Sequence, residues 1–273
     1  MSSNKSQFYT NKSIKYLFNK YIAEFDIRRA GLEALRDLKI IDESTYTVWR
    51  ECDKLQVSKY IGKNLSKHFK VQNDRILEIV DLFIKQNDIS PRNIISQKRD
   101  AIIAFNIRPN TFNINGFEFV KKHEYSSYFR IENFELYYSS KTDELDIKGI
   151  DTTWVKSHAL IPYIKKCIQK YEHLNAGFCT YTDVYRFLYD LRKSYLSFQL
   201  PIGCYREISY QNPYCFNHIE SQTLVRLLGL PQNSDEYQLV INYNFVKFIV
   251  PFINILPAFR SSGGNRAKGK SYG

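Results

Sequence analysis

The sequence predicts an α+β protein built on an antiparallel sheet. Two observations carry this. Apolar residues recur at helical spacing between residues 30 and 90, and again between about 155 and 197. Between them, from 93 to 150, the period drops to two, with turn residues spaced for hairpins. Hydrophobic residues make up 44% and charged residues 25% of the 273-residue chain, an ordinary globular mix that excludes a disordered tail.

Residues 11–20 read as a short basic helix. Tyr21 to Ile27 alternates as a strand, with Asp26 at its end. The next helix carries Ala30, Leu32, Leu35, Leu38 and Ile41, and Asp42 is placed to cap the one after it. Residues 54–70 predict one amphipathic helix with the stripe Val57, Ile61, Leu65 and Phe69. A further helix around Ile76 to Phe83 closes before Pro91. Strands then follow on both sides of a tight turn at Lys98–Asp100, and at 117–120, 128–131, 135–139 and 145–150. Helices resume at 155–173 and 180–197. Short strands are read near 204–208 and 238–242.

Lys and Arg number 39 against 28 Asp and Glu, a formal charge of +11. Such an excess draws a protein to polyanions. Lys, Asn, Ile and Tyr are all abundant, as A+T-rich coding also gives, so placement matters more than amount. The first twenty residues are polar and do not read as a secretory leader. The apolar stretch Phe245 to Phe259 is interrupted by Lys247, Pro251, Asn254 and Pro257, so no membrane span is expected. The five cysteines, Cys52, Cys167, Cys179, Cys204 and Cys215, include no C-x-x-C pair, which argues against a zinc site and for reduced thiols. A cytoplasmic location is expected, the host cytoplasm for a phage-encoded chain.

Two carboxylates stand at strand ends. Asp26 ends a strand before a helix, and Asp100 sits in the turn of an apolar hairpin. Two aspartates on neighbouring strands suit nucleotidyl transfer, which needs two divalent cations about 3.5–4 Å apart on the reacting oxygens. Lys54, Lys59, Lys63, Lys67 and Lys70 lie between them in a segment without any acid. Lys59, Lys63, Lys67 and Lys70 share one face of the predicted helix. They suit triphosphate or template contacts, or simply a solvated face. Arg28 and Arg29 can orient phosphates or face water. Tyr125, Tyr128, Phe129, Tyr137 and Tyr138, mixed with Lys121, Lys122 and Arg130, suit either stacking on single strands or sheet packing.

Over residues 21–150 the chain resembles the palm domain of family B DNA polymerases, in a reduced form of the phage or mobile-element type. Phe25-Asp26-Ile27-Arg28-Arg29-Ala30-Gly31-Leu32 is similar to the family's first carboxylate motif, D-x-x-S-L-Y-P. Lys98-Arg99-Asp100-Ala101-Ile102 is similar to its D-T-D-S hairpin, and Asp146-Ile147-Lys148-Gly149-Ile150 to its K-G strand. Lys98 replaces the first Asp of the hairpin motif, and the fingers motif K-x-x-x-N-S-x-Y-G is not matched.

The resemblance implies that Asp26, Asp100 and the Ile27 carbonyl hold Mg²⁺ or Mn²⁺. It places Lys59 and Lys63 on the triphosphate, Lys148 on the primer backbone, and Gly31 where an aromatic would exclude ribose. Template-directed or primase-like synthesis of DNA or RNA, open to ribonucleotides, is the activity it implies. The partners are nucleic acid and nucleoside triphosphates, with no membrane. A non-catalytic nucleic-acid-binding protein with a polymerase-like palm is the first alternative; a phage structural or interaction protein is the second. The implied organisation is a basic arm over 1–20 and a palm-like domain over 21–150 with a fingers-like insertion at about 43–90. A helical thumb-like segment over 151–200, a small β-rich segment over 201–260 and a disordered basic tail over 261–273 follow.

Overall fold

The computed structural model describes residues 8–131, 134–149, 159–197, 199–201, 204 and 249–263. In chain order the strands are β1 (Phe8–Thr10), β2 (Tyr16–Leu17), β3 (Ile22–Ile27), β4 (Ile94–Lys98), β5 (Ala101–Phe105), β6 (Asn113–Ile114), β7 (Phe117–Tyr125), β8 (Ser127–Ile131), β9 (Phe134–Ser139) and β10 (Glu144–Lys148). The helices are α1 (Ala30–Asp37), α2 (Glu43–Glu51), α3 (Lys54–Asn64), α4 (Phe69–Gln86), α5 (Ile161–Ala176), α6 (Tyr181–Leu196) and α7 (Val250–Gly263). The fold is α+β, with two antiparallel sheets. The chain divides into two units, Met1–Ile14 with Lys20–Tyr125, and Lys15–Asn19 with Ser126–Gly273.

In the first unit six strands lie in the order β1-β4-β5-β3-β7-β6. Because β5 is antiparallel to both β3 and β4, those two run parallel with β5 between them. This is a split β-α-β arrangement, and α1 to α4 form the crossover. Alternation on β3 aims Ala23, Phe25 and Ile27 at the helices. They pack with Ala30 and Ala34 of α1 and with Ile76, Ile79, Val80 and Phe83 of α4. The Phe83 and Phe119 rings stack at 4.0 Å. Glu24 and Asp26, at the intervening positions, therefore belong to the opposite face of the sheet. A smaller core joins Leu32 and Leu35 to Tyr46, Val57 and Ile61 of α2 and α3. Asp42 caps α2 by accepting from the Thr45 amide at 2.7 Å.

In the second unit four strands lie in the order β10-β9-β8-β2. Phe129, Leu136 and Ile147 of this sheet pack with Ile164, Ile168 and Tyr171 of α5, Val184 and Leu188 of α6, and Phe252 and Leu256 of α7. Phe129 and Phe252 stack at 4.4 Å, and the Tyr171 hydroxyl donates to the Phe252 carbonyl.

Several expectations are corrected. Residues 11–20 are not a basic helix. The Asn11 carboxamide accepts from the Ser13 amide at 3.1 Å, a local turn that competes with helix, and Tyr16–Leu17 pairs with β8. The single helix expected over 54–70 ends at Asn64, and Lys67 falls in a 3₁₀ turn, Ser66–His68. Gly62, Asn64 and Ser66 are weak helix formers, and the Asn64 side chain bonds the Tyr60 carbonyl. The lysines Lys59, Lys63, Lys67 and Lys70 therefore do not form one continuous helical row. The sheet expected across 21–150 is two sheets, divided between Tyr125 and Ser126. The β-rich segment expected to run to residue 260 ends in helix α7. Pro251 fits its first turn, and Phe252, Leu256 and Phe259 recur at helical spacing toward the core. The strands read at 204–208 and 238–242 lie outside the described residues, apart from Cys204.

Candidate active site at the end of the first sheet

The two strand-end aspartates come together. Asp26 is opposite Ala101 in the β3–β5 pairing, and the Ile27 amide donates to the Asp100 carbonyl oxygen at 3.0 Å. The hairpin turn that presents Asp100 places Arg99 at φ 29°, a strained value for a side-chain-bearing residue. Arg99 reaches the Asp100 carboxylate at 3.7 Å and the Asn73 carboxamide at 3.5 Å.

Beside them lies a residue that the sequence reading did not single out for this place. The β3–β7 register slips between Glu24 and Phe25, so that Glu24 faces His123 and Phe25 faces Lys121. Lys122 is the extra residue of this bulge, a feature that re-aims a side chain. Its ammonium donates to Asp26 Oδ2 at 2.9 Å. That hydrogen bond, then the charges of Asp26, Glu24 and Asp100, raise the Lys122 pKa above its ordinary value, against desolvation. The ammonium's contact is with Asp26; Glu24 and Asp100 act on it through space. Its signal in the sequence is slight: Lys121-Lys122 breaks the alternation that begins at Phe117 and Phe119.

A cleft opens next to Asp100. Arg29, Gly31, Leu32, Lys54, Ser58, Gln72 and Arg99 line it with Asp100. It lies against the first turn of α1, where Arg29 adopts φ 51° and gives no side-chain cap. Exposed amides and the helix dipole at such a terminus favour anions. Gly31 donates no side chain to this space, and its carbonyl accepts from the Gln72 amide at 2.7 Å. A Cβ at Gly31 would meet that amide at 3.3 Å.

The remaining candidates are placed as follows. Arg29 lines the cleft, but its guanidinium donates to the Trp49 and Cys52 carbonyls at the end of α2. Arg28 pairs with Glu118 at 3.2 Å in an exposed ion pair. Lys54 lines the cleft, whereas Lys59, Lys63, Lys67 and Lys70 are exposed and are not among its walls. Lys148 belongs to the second unit, opposite Glu135, with its ammonium 5.4 Å from the Tyr137 ring centre. Tyr125, Tyr128, Phe129, Tyr137 and Tyr138 are all buried, so sheet packing rather than base stacking accounts for them.

Among the described residues, no three His, Cys, Asp or Glu side chains come together as a metal-holding group. The set at hand is Asp26, Asp100 and the Ile27 carbonyl, with Asp26 already paired to Lys122. Such a set is too sparse for a resident ion. Mg²⁺ or Mn²⁺ arriving with substrate phosphates would ask less of the protein, because Mg²⁺ is commonly held by one or two carboxylates plus phosphate oxygens and water.

No helix among the described residues is long and apolar enough to cross a membrane. The chain matches the family model described as "Bacteriophage PBS1 gene 130 protein" over residues 2–258, and it belongs to that bacteriophage protein family. No curated protein matches it.

Proposed function

We propose that this phage-family protein is a metal-dependent nucleotidyltransferase that makes or extends a nucleic-acid strand, working in the host cytoplasm. The observation that carries the reading is the split β-α-β order. It sets Asp26 and Asp100 at the same end of adjoining strands, and Asp100 lines a cleft with Arg29, Gly31, Lys54 and Arg99. The resemblance to a reduced polymerase palm rests on the same two aspartates.

In this reading the triphosphate lies in the cleft. Lys54 and Arg99 neutralise its phosphates, and the first-turn amides of α1 add a partial positive charge. Asp26, Asp100 and the Ile27 carbonyl would hold Mg²⁺ or Mn²⁺, whose charge would stabilise the transferring phosphoryl group. Gln72 fixes the backbone at Gly31, and the missing side chain leaves room for a ribose hydroxyl.

The test is incorporation of labelled nucleotides by the full chain with Mn²⁺, over DNA and RNA templates, with and without primer. Asp26→Asn and Asp100→Asn should each abolish incorporation and leave the circular dichroism spectrum unchanged. Activity equal to wild type in Asp100→Asn would remove the assignment.

A second reading is favoured by the pairing of Asp26 with Lys122: a non-catalytic nucleic-acid-binding protein on a palm-like frame. Its binding would weaken steeply with salt and would not respond to either substitution.

A further inference from the structure

We infer that Lys122 is an internal counter-ion for the aspartate pair: its ammonium takes the place of a divalent cation until a triphosphate brings one. The inference rests on the nucleotidyl-transfer reading and adds the order of events at the site.

Three observations lead to it. The ammonium is 2.9 Å from Asp26 Oδ2, on the carboxylate that the nucleotidyl-transfer reading gives to a metal. Alternation through Phe117, Phe119 and Lys121 puts Lys122 on the Asp26 face of β7, and the bulge leaves it as the residue without a partner opposite it in the strand pairing. Its charge also acts on Glu24 and Asp100, so it sits within the field of all three carboxylates. A cation approaching the protein without nucleotide meets a site where a positive charge already lies against Asp26. Two like charges a few ångströms apart repel strongly unless water screens them.

A triphosphate changes this balance. It carries its own cation and offers the ammonium new anionic partners. The Lys122 side chain, about half exposed, has room to turn from Asp26 to a phosphate oxygen. Metal binding is thereby made conditional on substrate, and free divalent ions are kept out.

The experiment is Mn²⁺ binding by the full chain without nucleotide, followed by electron paramagnetic resonance. Wild type should bind weakly. Lys122→Met should tighten binding about tenfold or more, because an adjacent positive charge is gone. Lys122→Arg should stay weak, and the double variant Lys122→Met with Asp26→Asn should return to weak binding. Lys122→Gln retains a donor to Asp26 without the charge, and should tighten like Lys122→Met even where the apolar substitution disturbs folding. Equal Mn²⁺ affinity in wild type, Lys122→Met and Lys122→Gln would overturn the inference. The two readings fail separately. Incorporation by wild type with unchanged Mn²⁺ affinity in the variants removes the counter-ion role alone. Tightened Mn²⁺ binding with no incorporation under any condition removes nucleotidyl transfer and leaves Lys122 guarding a metal site of other use.

Discussion

The two units use polar side chains in opposite ways. The first gathers Asp26, Asp100, Lys122 and Arg99 at one end of its sheet, where water and a ligand can reach them. The second places its hydroxyls inside: Tyr128, Tyr137, Tyr138, Tyr171 and Tyr195 are all buried, the last three in its main core. Charge held at an edge can do chemistry. Hydroxyls held in a core mostly fill volume and tie elements together, as Tyr138 does with Asp143 and Gln169. Among the described residues, buried Phe is shared by both units, whereas buried Tyr is concentrated in the second.

The strongest way to break the comparison is to open each core separately. Phe83→Ala and Phe252→Ala should each cost about 3–5 kcal/mol, the transfer term plus a cavity. Hydrogen exchange should show lost protection in β3, β5 and α4 for the first, and in α5 to α7 for the second. Uniform loss across both units in either variant would mean that they unfold as one.

Alkaline pH sharpens it further. Burial, with smaller opposing and assisting hydrogen bonds, pushes the Tyr138 hydroxyl up to about 12, and burial raises Tyr128 and Tyr171 higher still. The Cys204 thiol is pushed from 9.0 to about 11. These groups favour the protonated form more in the folded state than in the unfolded one. Their stabilisation is complete below the ordinary pKa values and fades as pH rises through the folded ones. The second unit should unfold between about pH 10 and 12, with tyrosinate absorbance rising as helical circular dichroism falls. Complete tyrosine ionisation before the helices melt would contradict the burial of Tyr138 and Tyr171.

Two smaller effects separate structure from function in the first unit. Arg29→Ala removes two charge-assisted hydrogen bonds to the end of α2 and should cost about 1.5–3 kcal/mol in urea unfolding. Gly31→Tyr must push the Gln72 amide aside and fill the cleft. It should shift sugar preference toward deoxyribonucleotides about tenfold or more, a loss of roughly 1.4 kcal/mol for the ribonucleotide. Unchanged sugar preference in that variant would remove Gly31 from the site. Smallest is Arg28→Ala: an exposed pair with Glu118 is worth under about 1 kcal/mol, so the unfolding midpoint should barely move.

Much of this was legible in the residues. Alternation and turn residues gave the strand ending in Asp26 and the hairpin around Asp100, because side chains on a strand face opposite ways at every step. Helical spacing gave α2 and α6, with Asp42 marking the start of α2; the Thr180 capping box that starts α6 went unread. Local signals conflicted elsewhere. Pro251 and Pro257 hid α7, and the weak formers around Asn64 divided a helix whose apolar stripe ran on to Phe69.

The sequence by itself determined most of the elements between residues 21 and 197, the two strand-end aspartates and the positive charge, since periodicity, turn chemistry and composition act over a few residues. Only the tertiary structure decided which strands neighbour one another. It paired Asp26 with Lys122, 96 positions away, by laying β7 beside β3. It also left Lys59 and Lys63 outside the cleft while bringing Lys54 and Arg99 into it. Register and helix packing depend on contacts far apart in the chain, and no local pattern of residues encodes them.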